Sequence, residues 1–245
     1  MLKVIADILS ACSNIWKQSG NEFFIGLWIT LYITVISLIF SVLIGIGIGY
    51  LNSVPTQRKS FGNSLIKILQ WIGKEYIDLI RGTPLLVQAI FFYFGLVPIM
   101  INPLLRNFFG ISELSPEISG IIVISLNAGA YLAEIFRGGI QSIDIGQMEA
   151  ARSLGLSFSK AMAKVILPQA FKNMIPAILN QFIISLKDTS LLMIIGVADL
   201  MGKGKIAYQT NYKVFETMLI IALMYYAVIK ILSILFKKIE EKLKV

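Results

Sequence analysis

The chain has 245 residues, 56% hydrophobic and only 15% charged, against about 25% charged in soluble domains, which selects an integral membrane protein. It has no histidine and one cysteine, Cys12, which excludes histidine-based triads, histidine zinc sites and an intrachain disulfide. A net charge of +8 in so apolar a chain marks loops beside anionic lipid rather than a nucleic-acid partner.

Residues 1–22 mix apolar positions with Lys3, Asp7, Asn14 and Lys17. They are expected to form an extracytoplasmic, interfacial helix rather than a cleaved leader, because Asp7 interrupts the apolar stretch and no A-x-A site follows. Residues 23–51 form the first run longer than the ~20 residues a membrane crossing needs. Gly45, Gly47 and Gly49 near its end allow close helix packing. A turn with Pro55 is expected at 52–60. Residues 61–80 repeat Leu65, Ile68, Leu69, Ile72, Tyr76, Leu79 and Ile80 at helical spacing. They also carry Lys67, Lys74, Glu75 and Asp78, so an amphipathic helix at the cytoplasmic boundary is predicted. Further spans are predicted at 83–101, 117–136, 173–197 and 214–236, with polar loops at 102–116 and 199–213. A charged cytoplasmic tail, 237–245, ends the chain.

These five crossings of a transmembrane domain at 23–236 put the two ends on opposite sides. Arg58, Lys59, Lys67, Lys74, Arg81, Arg137, Arg152, Lys160, Lys164, Lys172 and the tail lysines fall on one side. Fewer, namely Lys3, Lys17, Arg106, Lys203, Lys205 and Lys213, fall on the other. The bias places the C-terminus inside and the N-terminus outside. No internal repeat is visible.

Polar residues inside spans are expensive, so each needs a partner or a wet face. Lys187 and Asp188 lie deep in the fourth span. They either neutralise each other and hold helices in register, or line a translocation cavity together with Thr189 and Ser190. Gln88, beside Phe91 and Phe92, and Asn127 suit interhelical hydrogen bonds or ligand contacts. Glu134 and Arg137 are spaced for a helical ion pair. Gly202-Lys203-Gly204-Lys205 lacks the spacing of a phosphate loop, so no ATP site is expected on this chain. No catalytic group and no metal ligand set is identified.

The most distinctive stretch is 144–168, too polar for lipid and too patterned for a slack linker. It reads as two short helices. Asp144 caps the first, with Gln147 completing a D-x-x-Q capping box. Met148, Ala151 and Leu154 share a face. Gly155 suits the left-handed position after a helix end. Ser157 caps the second helix and Pro168 closes it. Ala150, Ala151 and Gly155 offer a small surface, flanked by Glu149 and Arg152.

Glu149-Ala150-Ala151, Gly155 and Val165-Ile166-Leu167-Pro168 resemble the EAA loop of ABC importer permeases, with Val165 in place of the usual isoleucine. Arg81 to Gln88, Ala130 to Gly139, Leu167 to Ala170 and Ser185 to Leu191 resemble the polar amino-acid branch of that family. The resemblance runs in order over most of the chain after about Phe23. It implies an all-α, type I importer permease fold in a bacterial cytoplasmic membrane, with a cytoplasmic coupling helix. It further implies ATP-driven uptake of polar amino acids, with no cofactor on this chain and ATP and magnesium on a partner. The implied partners are a cytoplasmic ATPase dimer, a second permease subunit and an extracytoplasmic amino-acid-binding protein. Glu149, Ala150, Ala151, Arg152 and Gly155 would be the ATPase contacts, and Gln88, Phe91, Asn127, Lys187, Asp188, Thr189 and Ser190 would belong to the substrate pathway. An ion-coupled secondary carrier is the alternative, against which the missing repeat argues.

Overall fold

A computed structural model describes residues 2–53 and 61–243. The expected turn around Pro55 and the last tail residues lie outside the described residues. Everything described is helix joined by short turns. The helices are α1 (Leu2–Ser53), α2 (Phe61–Arg81), α3 (Leu85–Phe109), α4 (Pro116–Gln141), α5 (Ile145–Ser153), α6 (Phe158–Ile195), α7 (Leu200–Asn211) and α8 (Val214–Leu243). Among them α1, α3, α4, α6 and α8 are long and apolar enough to cross a membrane.

Several boundaries differ from the sequence reading, each for a local reason. The 1–22 segment is not a separate interfacial helix but the first part of α1, a rod of 52 residues, or about 78 Å at 1.5 Å per residue. No proline interrupts it, and Ile15 and Phe23 are buried with Leu200, Ala207, Ile220 and Ile221, which holds the extension helical. The 102–116 loop is helical up to Phe109 and ends at Gly110, whose φ of 68° needs no Cβ. The 199–213 loop contains α7, capped by Asp199 and ended by Tyr212 at a φ of 57°. Pro168 does not close a helix. A wide π turn over Met162–Ile166 precedes it, and α6 continues through both Pro168 and Pro176. Such a turn relaxes the clash that otherwise breaks a helix at proline.

The chain divides into two compact units. The first holds α1 up to Ser37, Leu85–Ile124 and Ile183–Ile234. One of its cores gathers Ile33, Ala89, Ile121, Val123, Ile124, Leu192, Ile195 and Val197. The other is the Phe23–Leu200–Ile221 cluster already described.

The second unit holds Leu38–Pro84, Ser125–Phe182 and the chain from Leu235. Its core is Leu132, Phe136, Ala170 and Met174, with Leu38, Val42 and Ile178 against it. Here α1 and α4 touch backbone to backbone. A Cβ on Gly45 would lie 2.6 Å from the Leu132 Cβ, and one on Gly49 would lie 2.7 Å from the Phe136 Cβ, whereas Gly47 faces open space. Small residues serve this purpose in membranes, where close packing replaces the hydrophobic effect as the force between helices. Two of the three predicted glycines therefore make the contact. Helix α2 fastens to the same pair: Gln70 Nε2 donates to the Leu51 carbonyl at 2.9 Å, and the Tyr76 hydroxyl donates to the Leu126 carbonyl.

Candidate functional site

The α5 stretch is built as a short helix with both ends sealed. The Asp144 carboxylate accepts from the Gly146 N–H at 2.7 Å, so it caps at the second helical residue, not through the full box predicted with Gln147. At the other end the Leu156 N–H donates to the Ala151 carbonyl at 3.2 Å, and the Gly155 N–H donates to the Arg152 carbonyl at 3.0 Å. These two bonds are the Schellman pair, and they require the left-handed residue that Gly155 supplies at a φ of 83°. Ser157 then caps the next helix by accepting from Lys160 N–H at 3.4 Å. These bonds satisfy terminal groups at both ends of a helix only nine residues long.

The caps leave most of α5 on the surface. Glu149, Ala150, Arg152 and Gly155 are exposed, and Ala151 is buried. Leu154, assigned to the Ala151 face by spacing, is 85% exposed instead, and Ile145 at the other end is 74% exposed. Space around Gly155 is open. The result is a protruding elbow of small and charged side chains with two bare aliphatic residues.

The candidate pathway residues divide between the units. Gln88, Phe91, Lys187, Asp188, Thr189 and Ser190 belong to the first, Asn127 to the second. Within the first unit, Leu85–Ile90 packs on Thr189–Ile195, with Leu85 and Ala89 in one core with Leu192 and Ile195. Phe91 and Lys187 are exposed, Gln88, Asp188 and Ser190 half-buried. Thr189 is wholly buried and donates to the Leu186 carbonyl at 2.8 Å, and Ser190 donates to the Lys187 carbonyl at 2.6 Å. Both hydroxyls thus satisfy the helix end where α6 tightens into a 3₁₀ tail. Asn127 is buried in α4.

Three arrangements go beyond the sequence reading, the first of them in part. The first is an ion cluster in the second unit. Glu134 takes a bidentate pair from Arg137, at 3.0 and 2.8 Å, and also meets Arg81 at 3.5 Å. Arg81 lies over the Tyr131 ring as well, 5.4 Å from its centroid. The i,i+3 spacing reveals Arg137 as partner, but nothing in local spacing reveals Arg81. The second is a face of α1 carrying Thr30, Thr34, Ser37 and Ser41, all fully buried. Ser37 donates to the Ile121 carbonyl at 3.3 Å and Ser41 to the Ser125 carbonyl at 3.2 Å. Their helical spacing is legible in the sequence. The third is Asp199, buried in the first unit and approached by Thr30, Thr189 and Tyr225. Its D-x-x-G start of a helix was the available signal.

Among the described residues, five helices long and apolar enough to cross a membrane, with a capped polar elbow between two of them, define a multi-pass membrane protein. Residues 59–245 match the family described as binding-protein-dependent transport system inner membrane component. The chain is 37% identical over 219 residues to the arginine transport system permease protein ArtQ of Bacillus subtilis (strain 168), covering 89% of this chain and 91% of that one. It is 36% identical over 220 residues to the glutamine transport system permease protein GlnP of Escherichia coli (strain K12), covering 90% and 92%. Among solved structures, an amino acid ABC transporter chain superimposes with a TM-score of 0.78 at 36% identity, over 92% of this chain and 95% of that one. A chain of the methionine transporter MetNI superimposes with a TM-score of 0.70 at 20% identity, over 90% and 95%, which speaks for the fold alone.

The chain belongs to this family: it is an inner-membrane permease of a binding-protein-dependent ABC transport system, the non-catalytic membrane component. The family expected from the EAA loop and the four companion stretches is the family found.

Proposed function

We propose that the chain is the transmembrane subunit of an ATP-driven importer for polar amino acids, and that α5 is its coupling helix. The observation that carries the coupling role is the capped, exposed elbow itself, with Gly155 held left-handed in open space beside Glu149, Ala150 and Arg152. Two permease subunits, identical or related, form the pathway. A cytoplasmic ATPase dimer holds ATP and magnesium and receives α5 of each subunit in a groove. An extracytoplasmic protein delivers the amino acid. The elbow's small residues let it enter deeply, Glu149 and Arg152 fix its register, and Leu154 and Ile145 lose their exposure.

Closing and opening of the ATPase pair then moves α5 as a rigid lever and biases the membrane helices between two arrangements. Gln88, Phe91, Asn127 and Lys187 to Ser190 are the candidate pathway residues. Amino acids as the cargo agree with what the names of the ArtQ and GlnP relatives state for those proteins. The lysine and arginine bias supports a cytoplasmic elbow and C-terminus and an extracytoplasmic N-terminus.

The test is uptake by the chain reconstituted in vesicles with its ATPase and binding protein. Accumulation of labelled arginine, glutamine or cystine is expected only with ATP on the ATPase side, and unchanged by ionophores. Uptake driven by an ion gradient without ATP would establish the secondary-carrier reading instead.

A further inference from the structure

Asp199 is fully buried, and among the described residues no cation is paired with it. One carboxylate oxygen, Oδ1, accepts from the Gly202 N–H at 2.9 Å, the first-turn cap of α7. The other, Oδ2, sits among three hydroxyls: Tyr225 of α8 at 3.2 Å, Thr30 of α1 at 3.4 Å and Thr189 of α6 at 3.5 Å. All four helices are drawn to one atom pair within the first unit. A buried carboxylate held only by neutral donors is costly in its charged form.

The hydroxyls are not equivalent. Thr189 already has a short bond for its proton, to the Leu186 carbonyl at 2.8 Å. Its oxygen therefore turns a lone pair toward Asp199, which suits an acceptor better than a donor. Thr30 accepts the Leu200 N–H at 3.1 Å through the same oxygen, so its proton is free for Oδ2. Tyr225 donates to Oδ2. Two hydroxyls thus serve the carboxylate and the third is ready for a carboxylic acid.

We propose that Asp199 is a proton-binding site, at which an ionised carboxylate grips Thr30 of α1 and Tyr225 of α8, and a protonated one donates to Thr189 of α6. Taking up one proton turns Oδ2 from an acceptor of two bonds, at 3.2 and 3.4 Å, into a donor of one, and the grip moves from α8 to α6. The Gly202 cap on Oδ1 persists in both forms, so α7 stays anchored while its neighbours are exchanged.

Among the charged groups on these elements, Lys205 of α7 is half-buried. Lys203, one turn along α7, is paired with Glu22 of α1. Lys187 of α6 is exposed and Asp188 half-buried. On α8 the titratable group facing Asp199 is Tyr225, and in the adjoining core Val197 packs among apolar side chains of α1, α3 and α4. Burial pushes the Asp199 carboxyl up to about 6, against the hydrogen bonds from the Gly202 N–H, Tyr225, the Met201 N–H and Thr30 that pull it down. The raised value means that the protonated form stabilises the fold. That contribution is complete below the ordinary aspartate value of about 3.9 and is lost as the pH rises through about 6. On the orientation proposed above the proton comes from the extracytoplasmic side, but neither the site nor its test depends on that orientation.

The full chain in lipid discs is titrated from neutral to acid pH while the infrared C=O stretch of a buried protonated carboxyl is followed. A band with a midpoint near 6, absent in Asp199→Asn, is expected. Tyr225→Phe removes a donor to the ionised form and moves the midpoint up. Thr189→Val removes the acceptor of the protonated form and moves it down, each on the order of one pH unit. If Asp199→Asn fails to fold, the opposed shifts of the other two variants on the wild-type band decide the matter. No such band, or shifts of Tyr225→Phe and Thr189→Val in the same direction, overturns the proposal.

Discussion

Alanine at Gly45 should destabilise the chain while alanine at Gly47, half a turn away on the same helix, should not. Both substitutions gain about 1 kcal/mol of intrinsic helix preference. At Gly47 nothing lies within 4 Å of the new methyl, so that gain is kept. At Gly45 the methyl would sit 2.6 Å from the Leu132 Cβ and 3.1 Å from its carbonyl carbon. Ordinary contacts start at 3.4 Å, and neither neighbour is the free end of a flexible chain. The backbones of α1 and α4 must part by nearly 1 Å, an overpacking cost of about 1–3 kcal/mol. The difference between the two variants is therefore also about 1–3 kcal/mol, with Gly45→Ala the weaker. Thermal melting of the detergent-purified variants reads this directly, at about 2–4 °C for each kcal/mol. Equal melting temperatures for Gly45→Ala and Gly47→Ala would refute the claim that backbone contact at Gly45 holds α1 to α4.

Gly155→Trp meets no neighbour within 4 Å but puts a side chain on a residue at a φ of 83°, so it strains the C-terminal cap of α5. The chain should stay folded and in the membrane, since the strain is local to the elbow, yet lose stimulation of ATPase activity by the delivered substrate. Wild-type stimulation would count against docking of α5. Asp144→Ala removes the cap to Gly146 and should cost about 0.5–2 kcal/mol locally, seen as faster amide exchange in the first turn of α5 with the global melt unchanged. A double-mutant cycle of Arg81→Ala and Glu134→Gln should show coupling below about 1 kcal/mol, because both side chains are partly exposed, at 41% and 27%. A coupling of several kcal/mol would mean that the cluster is dry in the assembled transporter. Asp188→Asn should reduce uptake more than assembly, and unchanged uptake kinetics would make Asp188 structural.

The crossing helices were legible because length and hydropathy act locally and admit few alternatives in lipid. The α5 caps were legible for the same reason, since Asp144, Gly155 and Ser157 do their work within four residues of themselves. What failed was whatever depends on a distant partner. Nothing near Phe23 says that α1 continues without a joint; the support comes from Leu200 and Ile221. Nothing in G-K-G-K says helix, yet Gly204 lets α7 pack on Ile221, where a Cβ would lie 2.8 Å from its Cγ1. Pro168 was read by its usual rule, and the π turn before it sets that rule aside. The Glu134 cluster was half legible, because Arg137 shares its helix and Arg81 does not.

Rarity makes some polar residues conspicuous and hides others. Lysine, aspartate and amides stand out in an apolar span, so Gln88, Asn127, Lys187 and Asp188 attracted the reading. Threonine and serine do not stand out, because each can return its proton to a carbonyl one turn back, as Thr34 does to Thr30 at 2.7 Å. Yet Thr30, Thr34, Ser37 and Ser41, followed by Gly45 and Gly49, recur at steps of three or four and occupy one buried face of α1. Lipid offers no hydrophobic gain for joining two apolar helices, so association needs close backbones and hydroxyls that reach across. That face supplies both, through Ser37 and Ser41 to carbonyls of α4 and through Gly45 and Gly49 to its Cβ atoms. Helix α1 is therefore positioned by its smallest side chains, and the buried Thr30 at the head of the same face delivers it to Asp199.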